Sequence, residues 1–235
     1  AVTYGWLVGE VVRRVAGVDF GEFVRREISE PLGLDLWVGL PDDEQHRVSP
    51  LINSGMPGLP TPEPAGDADS RTDAPSLVGM LDMLHGRALT APGGAFTDDQ
   101  VWNEARVRSA QIPAANGVTN AASLARMYAA LVSEVDGVRL LDADTLERAI
   151  APQVSGPSTV PLLDIPFALG FMTHSPLSPL LDGRSFGHYG AGGSLGFADP
   201  DRRVAGAYVM NAAQLAIAGD ARTLGLLAAV DQVVN

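Results

Sequence analysis

Phe186-Gly187-His188-Tyr189-Gly190-Ala191-Gly192-Gly193-Ser194-Leu195-Gly196-Phe197-Ala198-Asp199-Pro200 is the stretch whose reading decides the fold. Its centre, Gly192-Gly193-Ser194-Leu195-Gly196, matches GxSxG, the strained elbow that presents a nucleophilic serine between a strand and a helix. Context argues against that reading. An elbow needs a helix after the serine and a histidine farther along the chain. Here Phe197-Ala198-Asp199-Pro200-Asp201 reads as strand and turn, and no histidine follows His188. Nor do these glycines open a helix inside a βαβ unit, as a phosphate-cradling loop must. They read as a connection between two strands, at a place where another backbone or a ligand comes close.

Outward from this turn, residues 167–172, 185–189, 194–198 and 204–210 form strand-like runs separated by Asp182-Gly183, Gly190 to Gly193 and Pro200-Asp201. The pattern predicts an antiparallel meander. Ala221 to Val234 follows as an amphipathic helix, with Leu224, Leu227 and Val230 placed to cover one face of that sheet. Upstream, helical spacing dominates. Tyr4, Leu7, Val8, Val11, Val12 and Val15 precede Gly17, and Phe20, Phe23, Val24 and Ile28 run from an Asp19 cap to a stop at Pro31. With no strand or cap before it, the first helix is expected to start upstream of Ala1. Residues 53–74, with four prolines and three glycines, predict a long irregular loop near the cleft. Pro75 opens a short helix to Leu84, and Thr97 with Gln100 forms a capping-box pattern. Thr119 caps a helix bearing Leu124, Met127 and Leu131, and Asp142 or Asp144 starts another to Ile150. Helices, then strands, then a covering helix define an α+β fold. One domain is expected, with a helical region at about 75–150 and the sheet with its helix at about 160–235.

Composition narrows the function. Twenty-eight acidic against 16 basic residues give a net charge of −12, which repels nucleic acid and anionic lipid alike, so neither is an expected partner. No apolar run approaches the roughly 18 residues of a membrane span, and the start has no signal-peptide pattern. The absence of cysteine excludes disulfides, thiolate nucleophiles and cysteine metal sites. His46, His85, His174 and His188 are far apart and show no metal-ligand spacing, so no metal or other cofactor is implied. Every basic residue is arginine, and lysine does not occur. Among the histidines, His188 sits where a predicted strand meets the glycine turn, a place where backbone N–H groups can point at a substrate oxygen.

The stretch from Phe186 to Pro200 closely resembles the third-motif region of class C β-lactamase-like esterases, the family of family VIII carboxylesterases and penicillin-binding-protein-like hydrolases. That motif is KTG in true β-lactamases and HxG or WxG in many esterases, and His188-Tyr189-Gly190 occupies it here. Residues 3–15 look like the helix that follows the family's catalytic-tyrosine motif. Pro31-Leu32-Gly33-Leu34 resembles its PLGM-type segment, and Ile112-Pro113-Ala114-Ala115-Asn116-Gly117, followed by the helix with Leu124-Ala125-Arg126, is similar to its substrate-side loop and helix. The resemblance implies a β-lactamase/transpeptidase-like fold and acyl transfer by a serine hydrolase on a small ester or lactam. It assigns His188, Tyr189, Gly190 and Ala191 to the third wall of the site, with the Ala191 N–H as one oxyanion donor. The departures are as informative. The family's SxxK lysine and its catalytic tyrosine are absent, Tyr4 being read as core, so the nucleophile and its base are expected upstream or on a complementary chain, and the 235 residues alone are expected to be inactive. Histidine in place of the KTG lysine favours a carboxylesterase over a β-lactamase or DD-peptidase. An inactive binding module of the same fold and an α/β-hydrolase acting through Ser194 are the other readings.

Overall fold

The computed structural model describes residues 2–53, 99–156, 165–214 and 218–234. The expected loop beyond Asn53, the helix from Pro75, the Thr97 cap and His85 lie outside the described residues. The helices are α1 (Val2–Ala16), α2 (Phe20–Val24), α3 (Glu30–Leu32), α4 (Ala105–Ser109), α5 (Ala121–Val132), α6 (Ala143–Ile150) and α7 (Ala221–Val234). The strands are β1 (Leu36–Val38), β2 (Ile52–Asn53), β3 (Gly117–Thr119), β4 (Met172–Thr173), β5 (Phe186–Tyr189), β6 (Leu195–Asp199), β7 (Val204–Tyr208) and β8 (Ala212–Ala213). They fall into two compact units, Ala1–Phe23 with Val38–Val118, and Val24–Trp37 with Thr119–Asn235.

In the first unit α1 packs through its glycines rather than its large apolar residues. A Cβ on Gly5 would lie 2.4 Å from Ala114 Cβ, and Val2, Gly5 and Gly9 are the buried positions of the helix. Tyr4, expected in the core, is 53% exposed, and Leu7, Val11 and Val15 are exposed beside it. Hydrophobic periodicity located the helix but named the wrong face. The opposing segment is braced by Asn116, whose Oδ1 accepts from Ile112 N–H at 3.0 Å and whose Nδ2 donates to Val107 O at 2.8 Å.

Pro31 does not end the second helix. A π turn at Arg25–Ser29 follows α2, and the chain stays helical to Leu32, where Gly33 at φ 62° terminates it. The wider turn hands the Glu30 N–H to Arg25 O, so Pro31, with no N–H to give, fits the start of the last turn. The helix cap expected at Thr119 falls one residue later: Asn120 accepts from Ser123 N–H at 2.8 Å, while Thr119 Oγ1 donates to Asp35 O at 2.8 Å. Asp142 caps α6 through Thr145 N–H at 2.7 Å.

The second unit holds a four-stranded antiparallel sheet in the order β4-β5-β6-β7. The run 167–172 is not one strand: Ala168 N–H donates to Phe171 O at 2.8 Å around Gly170 at φ +84°, so the segment folds back and only Met172–Thr173 joins the sheet. Alternation along β5 and β6 sends side chains to two cores. Phe186 and Ala198 face α5 and α6 with Tyr128, Leu131, Leu146 and Ile150. Tyr189, Leu195 and Phe197 face the other way and pack with Leu227 of α7. Leu227 therefore covers the sheet as expected, whereas Leu224 is 42% exposed. Each fully buried Phe or Leu contributes about 1.5–3 kcal/mol, so this double-sided packing fixes the height of β5 and β6.

Candidate active site

The site is assembled around the end of β5. His188 pairs with Gly196 and Tyr189 with Leu195, after which the chain turns through Gly190 to Gly193 and returns as β6. Ser194 is thus followed by a strand, not a helix, which removes the elbow reading. The turn closes through Gly190 N–H to Ser194 O at 2.8 Å and Gly193 N–H to Gly190 O at 3.1 Å. Gly192 and Gly193 stand at φ +95° and +111°, a region closed to most side chains, and this is the local reason for the glycine run.

The far end of the turn is held from outside. Gly192 O accepts from Gln214 N–H at 3.0 Å and from Arg222 Nη2 at 2.9 Å, while Arg222 Nη1 donates to Ala212 O at 2.7 Å. Arg222 is itself oriented by Asp220 through Nε at 3.0 Å. The N–H groups of Ala191, Gly192 and Ser194 make no hydrogen bond to any described residue, and of these three residues Ala191 is the exposed one. A backbone N–H held in place and left open can receive a negatively charged oxygen.

The four residues singled out in the sequence separate into distinct positions. His188 lies on the α5 face of the sheet, its ring 6.0 Å from that of Phe167. Its Nδ1 is 2.6 Å from Tyr189 O. A carbonyl only accepts, so Nδ1 carries the proton and the neutral ring keeps its lone pair on Nε2. Burial lowers the His188 pKa from the ordinary histidine value, against an opposing effect of the bond to Tyr189 O, so the ring is neutral at physiological pH. The Tyr189 side chain points to the opposite core, donates its hydroxyl to Pro179 O and has its pKa pushed up to about 12, by burial first and then by Asp220. Tyr189 reaches the site through its backbone. Gly190 and Ala191 supply the turn.

Beside the turn, on the α5 face, lies a pocket of about 220 Å³ bounded by Leu124, Tyr128, His188, Gly190, Ser194 and Gly196. Leu124 was legible in the sequence as an apolar position on a helix similar to the family's substrate-side helix, whereas Tyr128 carried no signal of its own. Arg222 carried no signal, since its acceptors are 10 and 30 residues away. The other described histidines serve their own loops: His46 Nδ1 contacts Asp43 O at 2.7 Å, and His174 Nδ1 contacts the Leu180 backbone at 3.1 Å. No group of three or more His, Asp or Glu side chains among the described residues could hold a metal ion, and no described helix is long and apolar enough to cross a membrane.

An antiparallel sheet with helices on both faces, ending β5 in a glycine turn with an open N–H, defines the β-lactamase/transpeptidase-like class. The chain belongs to the β-lactamase family, whose model matches residues 1–230. It is 34% identical over 227 residues to the esterase/β-lactamase LipL of Mycobacterium tuberculosis, covering 90% of this chain and 47% of that protein. A penicillin-binding protein homologue from Caulobacter crescentus superposes with a TM-score of 0.77 at 35% identity, over 98% of this chain and 57% of the other. EstA from Arthrobacter nitroguajacolicus Rue61a gives 0.77 at 29% identity, with 98% and 57% covered. A family VIII carboxylesterase gives 0.73 at 26% identity, with 95% and 55% covered. The chain spans about half the length of the curated relative it matches.

Proposed function

We propose that this chain forms the oxyanion wall and part of the substrate pocket of a carboxylic-ester hydrolase that works through an acyl-enzyme. The observation that carries the reading is the exposed Ala191 N–H, held by the Gly190 to Gly193 turn beside a pocket whose lining imidazole, His188, is neutral. In the reaction a serine hydroxyl adds to the ester carbonyl, its proton passes to a base, and the carbonyl oxygen becomes an oxyanion held by Ala191 N–H and a second donor. Collapse expels the alcohol, and water then releases the acid by the same addition and collapse. The 235 residues contain no lysine, so a lysine-assisted SxxK serine comes from polypeptide outside them. The names of the relatives, an esterase/β-lactamase and a family VIII carboxylesterase among them, support the class. Ester is favoured over β-lactam because no residue lining the pocket is a fixed cation that could hold a lactam carboxylate.

The test compares p-nitrophenyl butyrate with a chromogenic cephalosporin. The 235-residue chain alone is expected to turn over neither above background. A protein joining this chain to an SxxK- and tyrosine-bearing segment is expected to cleave the ester faster. Ala191→Pro deletes the N–H and is expected to cost about 10²–10³ in kcat. Turnover by the chain alone that Ser194→Ala abolishes, or a faster rate on the cephalosporin, would overturn the reading.

A further inference from the structure

The pocket beside the turn has a floor that the β-strand register creates. On the α5 face of the sheet the residues of β6 and β7 are small: Gly196 and Ala198 pair with Ala207 and Ala205. α5 settles onto them, and the Tyr128 ring lies directly over Gly196, where a Cβ would be 2.3 Å from Tyr128 Cε2. That ring cannot retreat, since Phe171 and Phe186 stand behind it with centroids 6.4 and 6.3 Å away. Tyr128 is 6% exposed, and burial pushes its phenol pKa up, so it stays a neutral, fixed surface. Leu124, one helical turn earlier on α5, forms the side wall.

We infer that this pocket binds a compact, uncharged apolar chain of the ester, and that Leu124 and Tyr128 set the chain length accepted. The inference rests on the hydrolase reading for its location next to the reacting carbonyl. Three observations carry it further. The lining is hydrocarbon apart from the His188 imidazole, the Ser194 hydroxyl, the Tyr128 phenol and backbone, and none of these is charged at neutral pH. The volume, about 220 Å³, is below the roughly 300 Å³ at which drug-sized ligands begin to be held. The pocket also adjoins Gly190, one residue before the open Ala191 N–H, so a chain seated in it leaves its carbonyl at the turn.

Two arms test this. In the first, the protein joining this chain to its SxxK segment is assayed on p-nitrophenyl esters of increasing acyl length, then on acetate esters of increasing alcohol length. The arm that shows a length cut-off identifies which side of the ester the pocket takes. kcat/KM is expected to fall at least about tenfold once the chain outgrows the pocket in that arm. Leu124→Ala should move the cut-off to longer chains, and Leu124→Trp should lower the rate on the preferred ester about tenfold and move the cut-off to shorter chains. Tyr128→Phe keeps the ring and should keep the cut-off. In the second arm, ethyl butyrate is titrated into the 235-residue chain and the Gly196 and His188 NMR signals are followed, with Leu124→Trp as the blocked control. Length profiles identical in wild type and both Leu124 variants overturn the pocket while leaving the hydrolase reading intact. Absence of ester turnover together with ethyl butyrate shifts at Gly196, lost in Leu124→Trp, overturns the hydrolase reading and keeps the pocket.

Discussion

The His188 imidazole has one nitrogen spent on Tyr189 O and the other free to accept, in a ring that burial keeps neutral. A lysine at the same position would present a permanent cation with three donors and no acceptor. The difference gives a pH signature. The folded-state pKa of His188 lies below its unfolded value of about 6.5, so the unfolded chain takes up the proton first as pH falls. The stability contributed by the neutral ring is complete above that value and is lost as pH drops through the folded pKa. A proton–nitrogen NMR titration is expected to show His188 titrating below the ordinary histidine value and carrying its proton on Nδ1 when neutral. A neutral ring protonated on Nε2 would contradict this assignment and remove the free acceptor from the site.

At the scale of elements, the β5–β6 hairpin is shaped by the helix lying on it, and glycines in different elements carry opposite consequences. Gly196→Ala drives a methyl into the Tyr128 ring, which Phe171 and Phe186 confine, and is expected to destabilise by about 1–3 kcal/mol through overpacking. Gly225 lies in α7 with nothing within 4 Å of a Cβ, so Gly225→Ala is expected to stabilise by about 0.5–1 kcal/mol through the unfolded chain's lost freedom. Chemical denaturation of the two variants checks both signs. The next hairpin is closed differently. The buried Asp199 accepts from Ser185 Oγ at 2.8 Å, from the N–H groups of Asp201 and Arg202 at 3.0 and 2.8 Å, and from Arg202 Nη1 at 2.9 Å. That carboxylate ties the β6–β7 turn to the start of β5, and with it the register that places His188 opposite Gly196.

Across these 235 residues, a net charge of −12 and a pocket without a lining cation act in the same direction. On the proposed hydrolase reading, an ester whose pocket-bound chain ends in a carboxylate meets the repulsive field of these residues outside and no counter-ion among the lining residues. Such esters are therefore expected to be cleaved more slowly than uncharged esters of the same chain length. Raising the salt concentration should narrow the gap without closing it, because screening removes the long-range repulsion but not the cost of burying the charge. Equal rates at low salt would contradict the reading.

The sequence by itself determined what is local. The glycine turn was legible because positive φ at Gly192 and Gly193 is a property of those residues alone, and the helices were legible from their spacing and from caps such as Asp142. The order of helices and strands determined the α+β class. The glycine-turn stretch, set against the absence of lysine, made the family recognisable and showed that its usual activating base is not among these residues. Tertiary structure decided which faces meet. The apolar stripe of α1 promised a buried Tyr4, but the helix packs where Gly5 and Gly9 permit close approach, and that preference depends on the partner surface at Ala114. Tyr128 looks like any apolar position on α5 until the strand register sets Gly196 beneath it. Arg222 becomes a clamp on the turn only once α7 brings it to Gly192 O. Backbone conformation is set within a few residues, whereas packing depends on surfaces separated by tens of residues along the chain, so the turn could be read in advance and the pocket beside it could not.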